Sequence, residues 1–345
     1  MSYRGDILAV GDLSLPWDKL SECNILVTGA TGLIGSALVE VLLSRKGHDY
    51  HVYASGRDSK RATKLFASYV ELPTYHFINF DVTRPIESKV NFHYIIHCAS
   101  GAAPADFSQH PVEVMKANFF GVDILLDYGR THGMKRFLYV SSGEVYGEGD
   151  GREFSEEYSG YVDCMLPRSC YPSSKRAAET LCVSYADEFG LDVVIARPCH
   201  VFGPHFTEHD NRVYAQFIRN VLRGEDIVMK SSGEQYRSWC YVVDCVSALL
   251  HLLLLGNNGD AYNIADPSSN ITIKELATLI ASIGQKKVVL DIPTGSEKKG
   301  FNIVKKSCFV IEKIKGLGWY PLDTLENNLR KTINYRAILD SKMKY

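Results

Sequence analysis

Tyr171 and Lys175 share the stretch Tyr171-Pro172-Ser173-Ser174-Lys175, which opens a helical run. At that spacing a phenol and an ammonium lie about one helical turn apart and project from one face. The ammonium, together with the positive charge of a nicotinamide, lowers the phenol's pKa, so that a phenolate can take a proton from an alcohol near neutral pH. The segment Val140-Ser141-Ser142-Gly143-Glu144-Val145-Tyr146-Gly147 directly follows an apolar β-branched run. Ser142 there can hydrogen-bond the same alcohol. A hydride leaving the alcohol carbon for the nicotinamide completes an oxidation.

The oxidant's binding site is legible upstream. Val27-Thr28-Gly29-Ala30-Thr31-Gly32-Leu33-Ile34-Gly35 places three glycines between a strand and a helix. Gly29 permits the tight turn, Gly32 lets the backbone approach a pyrophosphate, and Gly35 packs helix on strand. The helix N-terminus favours the negative charge. Thr31, Leu33 and Ile34 complete the loop. The choice between NAD and NADP stays open. The second strand ends Ala54-Ser55-Gly56-Arg57-Asp58, with Gly56 about where an acid for the ribose 2′-hydroxyl of NAD would stand. Arg57, with Lys60 or Arg61, can pair with a 2′-phosphate. Asp58 serves as the acid if the register slips by two, and the cations otherwise solvate a helix start.

The elements that must position these groups alternate. Asn24 to Thr28, His51 to Ser55, Tyr94 to Cys98, Phe137 to Ser141 and Leu191 to Ala196 read as strands. Ser36 to Arg45, Pro111 to His132 and Ser174 to Glu188 read as helices between or after them. The expected fold is α/β: a Rossmann-type doubly wound parallel sheet with right-handed crossovers. The expected division is an extension at 1–22, a dinucleotide-binding domain at 23–200 and, mainly, a substrate lobe at 201–345. That lobe is a smaller α/β unit, with a helix at Thr272 to Ile283, lying over the strand ends where ligands bind.

With 345 residues, 46% of them hydrophobic, the chain has ample material for such a core. A net charge of -2 gives no footprint for nucleic acid or an anionic membrane. The apolar run from Ala248 to Leu255 falls short of the roughly 20 residues that span a bilayer. Nine scattered cysteines without a CxxC pair imply a reducing compartment and no metal site, hence the cytoplasm.

These motifs together make the chain resemble the extended short-chain dehydrogenase/reductases of the nucleotide-sugar epimerase/dehydratase family, over residues 24–335. The resemblance implies Ser142, Tyr171 and Lys175 as catalytic residues. It puts Asp81 and Val82 beside the adenine. Cys98, Ala99 and Ser100 at a strand end, Asn118 in the next helix and Pro198 complete the cofactor residues with Arg57, Tyr171 and Lys175. Gly233-Glu234-Gln235-Tyr236-Arg237 resembles the segment whose Arg binds the nucleotide diphosphate; a surface salt bridge is the alternative for Arg237. It also implies a homodimer through Pro111 to His132 and Ser174 to Glu188, with Phe119, Val122, Leu125 and Leu126 available for contact or for packing on the sheet.

Glu144 bears on the reaction. The resemblance assigns Glu at this position to 4,6-dehydratases and UDP-glucuronate decarboxylases, and small or hydroxyl residues to C4-epimerases. Once C4 is a ketone, the C5 proton is acidified, and a carboxylate there can act at C5 or position the C6 group. Gly143 and His200 depart from the family pattern: dehydratases often place Asp or Ser just before the Glu and decarboxylases Ser, whereas Gly143 offers no acid or hydroxyl, and His200 stands where an Asn usually holds substrate, though it can equally be structural. With Ser142, Gly143, Glu144, His200 and Arg237 as substrate residues, the expected order is decarboxylation of a UDP-uronic acid, then 4,6-dehydration, then C4-epimerisation. An NADPH-dependent 4-keto-sugar reductase and a silent dinucleotide-binding protein are the remaining readings.

Overall fold

The computed structural model describes residues 2–102, 104–208, 210–291 and 305–342. Strands β1 (Asn24–Thr28), β2 (His51–Gly56), β3 (Tyr75–Asn79), β4 (Tyr94–His97), β5 (Arg136–Val140) and β6 (Val193–Pro198) lie parallel. Two short strands, β7 (His200–Phe202) and β8 (Ile227–Met229), precede β9 (Tyr236–Tyr241), β10 (Ala261–Ile264) and β11 (Asp266–Thr272); β12 (Val288–Leu290) and β13 (Lys306–Ser307) follow. The main sheet has the order β10-β6-β5-β4-β1-β2-β3. This is the doubly wound Rossmann arrangement expected from the sequence.

The central strands read as nearly unbroken apolar runs because helices cover both sheet faces. Ile25, Leu26 and Val27 of β1, Ile95 and Ile96 of β4 and Phe137 and Leu138 of β5 are almost fully buried. Strand β3 escaped the sequence reading because it is an edge strand whose residues are only half covered, so its apolar period is weak.

Helices α1 (Tyr3–Gly11), α2 (Leu33–Ser44), α3 (Ser59–Leu65), α4 (Pro104–Gln109), α5 (Pro111–Thr131), α6 (Cys170–Phe189), α7 (Val213–Leu222), α8 (Val242–Leu255), α9 (Ile273–Ile283), α10 (Glu312–Lys315) and α11 (Leu325–Lys342) complete the chain. Local chemistry sets several ends. Pro111 opens α5, where its missing N–H costs nothing. Gly190 closes α6 in the left-handed conformation. A capping box between Thr272 and Glu275 starts α9.

The residues ahead of β1 pack onto the main domain. Helix α1 buries Tyr3, Ile7 and Val10, and the Tyr3 hydroxyl donates to Glu40 on α2 at 2.6 Å. The main sheet also extends past residue 200, since β10 pairs with β6. Strand β9, bonded to β7, β11 and β13, carries the second sheet at the C-terminal ends of the main strands. No helix among the described residues is long and apolar enough to cross a membrane.

Candidate active site

One cleft of about 1790 Å³ runs along the C-terminal edge of the main sheet. It exceeds the roughly 300–1,000 Å³ of an ordinary small-molecule pocket. Two nucleotide-sized ligands can share it. Of the residues assigned to catalysis, cofactor or substrate, all but Asn118 line it; Asp58 and Lys60, raised as alternatives for the ribose, do not.

At one end the glycine loop joins β1 to α2. Gly29 adopts φ +65°, and a Cβ on it would lie 2.7 Å from the Ala99 Cα. A Cβ on Gly35 would overlap the Gly29 carbonyl oxygen. The loop therefore closes only with glycine at both positions. Helix α2 has Gly32 as its N-cap and no side-chain cap, so its leading amides face the cleft. That is an anion site of the kind a pyrophosphate takes. The residues present thus fit a dinucleotide.

Farther along this wall the Asp81 carboxylate accepts from the Thr83 amide and hydroxyl, at 3.0 and 2.8 Å, which hold its pKa below the usual range. Gly56 stands where a strand-end acid was missed, because a Cβ there would press on Thr31 Oγ1 at 3.2 Å. The Asp58 carboxylate caps α3 by accepting from the Arg61 amide. Arg61 itself bonds the carbonyls of Thr31 and His205, at 2.9 and 3.1 Å, so it ties the loop to the opposite lobe instead of reaching the ribose. Arg57 remains exposed on the cleft.

At the centre, Tyr171 and Lys175 sit on α6 and face Ser142 at the end of β5. Lys175 is buried, and its Nζ donates to the Val140 carbonyl at 2.9 Å while standing 4.7 Å from the Tyr139 ring centre. Burial brings its pKa down to about 8. The Ser142 and Ser100 hydroxyls favour the ionised form of Tyr171. The expected lowering of the Tyr171 pKa is not what the chain's own atoms produce: burial, reinforced by the Glu144 charge, pushes it up to about 12. A desolvated phenol resists ionisation even with the Lys175 ammonium 5.8 Å from its ring centre, so a further positive charge is needed.

Asn118 is fully buried behind the cofactor wall, not on it. Ser100 donates to its Oδ1 at 2.7 Å, and its amide donates to Ser174 at 3.0 Å. Ser174 in turn donates to the Cys170 carbonyl at 2.6 Å. Asn118 thus fixes Ser100 and the first turn of α6 relative to each other. Phe107 of α4 stacks on the Tyr171 ring with centres 4.5 Å apart.

The other end of the cleft carries the features the sequence reading did not connect. Both oxygens of Glu144 accept from Arg168, at 2.7 and 3.0 Å. A Cβ on Gly143 would overlap the ring of Phe309, which fills the space a side chain would need. Phe309 is held there by a bridge to Phe154 and by its amide, which donates to Ser238 at 3.2 Å. Arg212 pairs with Asp210 at 2.5 Å and acts electrostatically on both Tyr171 and His200. The only sequence hint of Arg212 was a polar Asp-Asn-Arg run ahead of an apolar helix. Nothing local marks Phe309, which reaches Gly143 only through the fold. His200 opens onto the cleft, 5.4 Å from the Trp239 ring; surrounding protein and the Arg237 cation bring its pKa down to about 3. Arg237 is almost fully buried and lines the cleft, with Nη1 donating to the Tyr236 carbonyl at 3.0 Å.

The NAD-dependent epimerase/dehydratase family model matches residues 25–265. The chain is 32% identical over 317 residues to UDP-glucuronic acid decarboxylase 1 of Xenopus tropicalis, covering 90% of this chain and 71% of that one. It is 33% identical over 316 residues to UDP-glucuronic acid decarboxylase 6 of Arabidopsis thaliana, covering 90% and 87%. Among solved structures, a UDP-glucose 4-epimerase with UDP-glucose from Thermotoga maritima superimposes with a TM-score of 0.78 at 27% identity, covering 93% of this chain and 99% of that one. A dTDP-glucose 4,6-dehydratase from Bacillus anthracis in complex with NAD also gives 0.78, at 22% identity over 92% and 98%, a likeness of fold alone.

Proposed function

The chain belongs to the NAD-dependent epimerase/dehydratase family, and we propose that within it this enzyme decarboxylates a UDP-linked uronic acid by way of a C4 ketone. The carrying observation is the sugar end of the cleft, which has Glu144 but cannot carry a side chain at position 143. Loss of water from C6 needs an acid to protonate the departing hydroxyl. Loss of carbon dioxide from a β-keto acid needs none, because the electrons flow into the C4 carbonyl. The Phe309 ring at that wall disfavours water around the C6 group. The named relatives favour the same reading.

Tyr171 takes the C4 hydroxyl proton and Ser142 holds the same oxygen. The loop of Gly29, Gly32 and Gly35 would hold NAD, which would supply the hydride acceptor and a positive charge that would bring the Tyr171 phenolate within reach of neutral pH. Lys175 anchors to the Val140 carbonyl and keeps a cation under the phenol. After carbon dioxide departs, Tyr171 and Ser142 hold the oxygen of the C4 enolate while C5 takes a proton from solvent; Tyr171 then gives its proton back to the C4 oxygen as hydride returns to C4, so the net change is loss of carbon dioxide alone. Arg212 and Arg237 supply positive charge toward the diphosphate.

Incubation of the purified protein with UDP-glucuronate and no added cofactor tests this by mass spectrometry. Loss of carbon dioxide is expected. Loss of water, an unchanged mass or a gain of two hydrogens would replace the reading by dehydration, epimerisation or reduction. The compartment we infer is the cytoplasm, in keeping with nine free thiols.

We also propose a homodimer through α5 and α6. Val122, Leu125 and Leu126 are buried against the sheet, so they do not supply the contact. Val112, Met115 and Phe120 on α5 and Val183 and Phe189 on α6 are exposed and can. Light scattering of Phe120→Glu is expected to show monomers where the unaltered chain shows dimers.

A further inference from the structure

Arg168 is set where a simple surface ion pair has little purpose. It sits in the short turn Pro167–Ser169 that leads into α6, three residues before Tyr171. Its guanidinium lies 5.4 Å from the Phe107 ring centre, and Phe107 also stacks on Tyr171. The side chain is 45% exposed and Glu144 33%, and both line the cleft. At that exposure the pair adds little to stability. Its geometry is specific all the same: Nη1 and Nη2 each bond one oxygen of Glu144, the two-pronged contact that fixes a carboxylate in a plane.

That contact uses two of the five N–H donors of the guanidinium. The other three have no acceptor among the described residues, and Arg168 lines the cleft. A sugar acid placed against Ser142 and Tyr171 brings its C6 carboxylate toward Glu144, an approach of like charges that needs a cation between them. Arg168 is the cation already in contact with Glu144.

We propose that Arg168 anchors the C6 carboxylate of the acidic sugar, sharing its guanidinium between that carboxylate and Glu144, and so selects acidic over neutral nucleotide sugars. This rests on the decarboxylase reading for its substrate class. Phe107 is then a positioning residue for both the anchor and Tyr171.

The test compares Arg168→Met and Arg168→Lys with the unaltered site, each in a Tyr171→Phe background that stops turnover, in the NAD-loaded protein. Calorimetric dissociation constants are measured for UDP-glucuronate and for UDP-xylose, which lacks C6. Arg168→Met is expected to weaken UDP-glucuronate by about 10- to 100-fold, the scale of a lost charged hydrogen bond or two, and to leave UDP-xylose nearly unchanged. Arg168→Lys, with the charge but not the fork, is expected to fall between. An equal loss for both ligands makes Arg168 merely structural and overturns the proposal, as does no loss for either. Carbon dioxide release by the unaltered enzyme is read separately. If it is absent while Arg168→Met loses only the acid, the anchor stands and the decarboxylase reading falls. If it is present while Arg168→Met keeps the original ratio, the reading stands and the anchor falls.

Discussion

The two ends of the cleft are built on different principles. At the cofactor end the backbone is the instrument: Gly29 and Gly35 are excluded from carrying a Cβ by main-chain atoms of Ala99 and of the loop itself. At the sugar end the side chains are the instrument, and each acts through a distant partner. Glu144 is set by Arg168, and Gly143 is kept bare by Phe309. A wall made of backbone tolerates little change and serves one ligand. A wall made of paired side chains can be altered a pair at a time, which is how one fold comes to host several sugar chemistries.

Between the two ends lies the group both must serve. Tyr171→Phe removes the proposed proton acceptor and should lower turnover by about 10²–10⁴-fold, with binding of NAD retained in a fluorescence titration. Turnover within tenfold of the original would assign the proton to another group.

Gly29→Ala tests the rigidity of the cofactor end. Left-handed strain of about 1–2 kcal/mol adds to an overlap with Ala99 that costs about 1–3 kcal/mol. Chemical denaturation should show the sum, and NAD affinity should fall with it. A variant as stable as the original would mean that the loop yields and the backbone argument is wrong.

Lys175 links the comparison to pH. Its pKa is about 8 in the folded chain against an ordinary 10.5. Below pH 8 both folded and unfolded chains hold the proton, and the fold bears the whole desolvation penalty. Between pH 8 and 10.5 only the unfolded chain binds it, so stability rises with pH. Lys175→Met, inactive, is therefore expected to be more stable than the original near pH 7, by about 3 kcal/mol at most. The gap should close as pH rises from 8 to 10.5. A gap that ignores pH would show that the ammonium bears no such penalty.

The sugar end should prove adjustable in pairs. Gly143→Ser alone collides with Phe309 and should cost about 1–3 kcal/mol. Adding Phe309→Ala removes the collision, so the double variant should be more stable than the sum of the singles predicts. Simple additivity in thermal melts would dissociate the two positions. The smallest effect belongs to the exposed Arg57. Arg57→Ala should leave NAD binding nearly untouched while weakening NADP by about 1–3 kcal/mol; equal effects on both would remove Arg57 from the ribose site.

Residue order alone determined the parallel sheet, the glycine loop and the placing of Tyr171 and Lys175 on one helix face. Each is a local matter: apolar runs of strand length, a turn that only glycine allows, and a four-residue interval on one helix. The edge strand β3 and the packed helix α1 were less legible, since half-covered residues blur the period that marks an element. Only the tertiary structure decided that Asn118 stands behind the wall, that Arg61 joins the two lobes and that burial raises the Tyr171 pKa. It also decided that Arg168 holds Glu144 across 24 positions and that Phe309 closes on Gly143. Contacts between groups so far apart in sequence depend on how whole elements pack, and desolvation depends on everything around a group, so neither leaves a signature in the neighbouring residues.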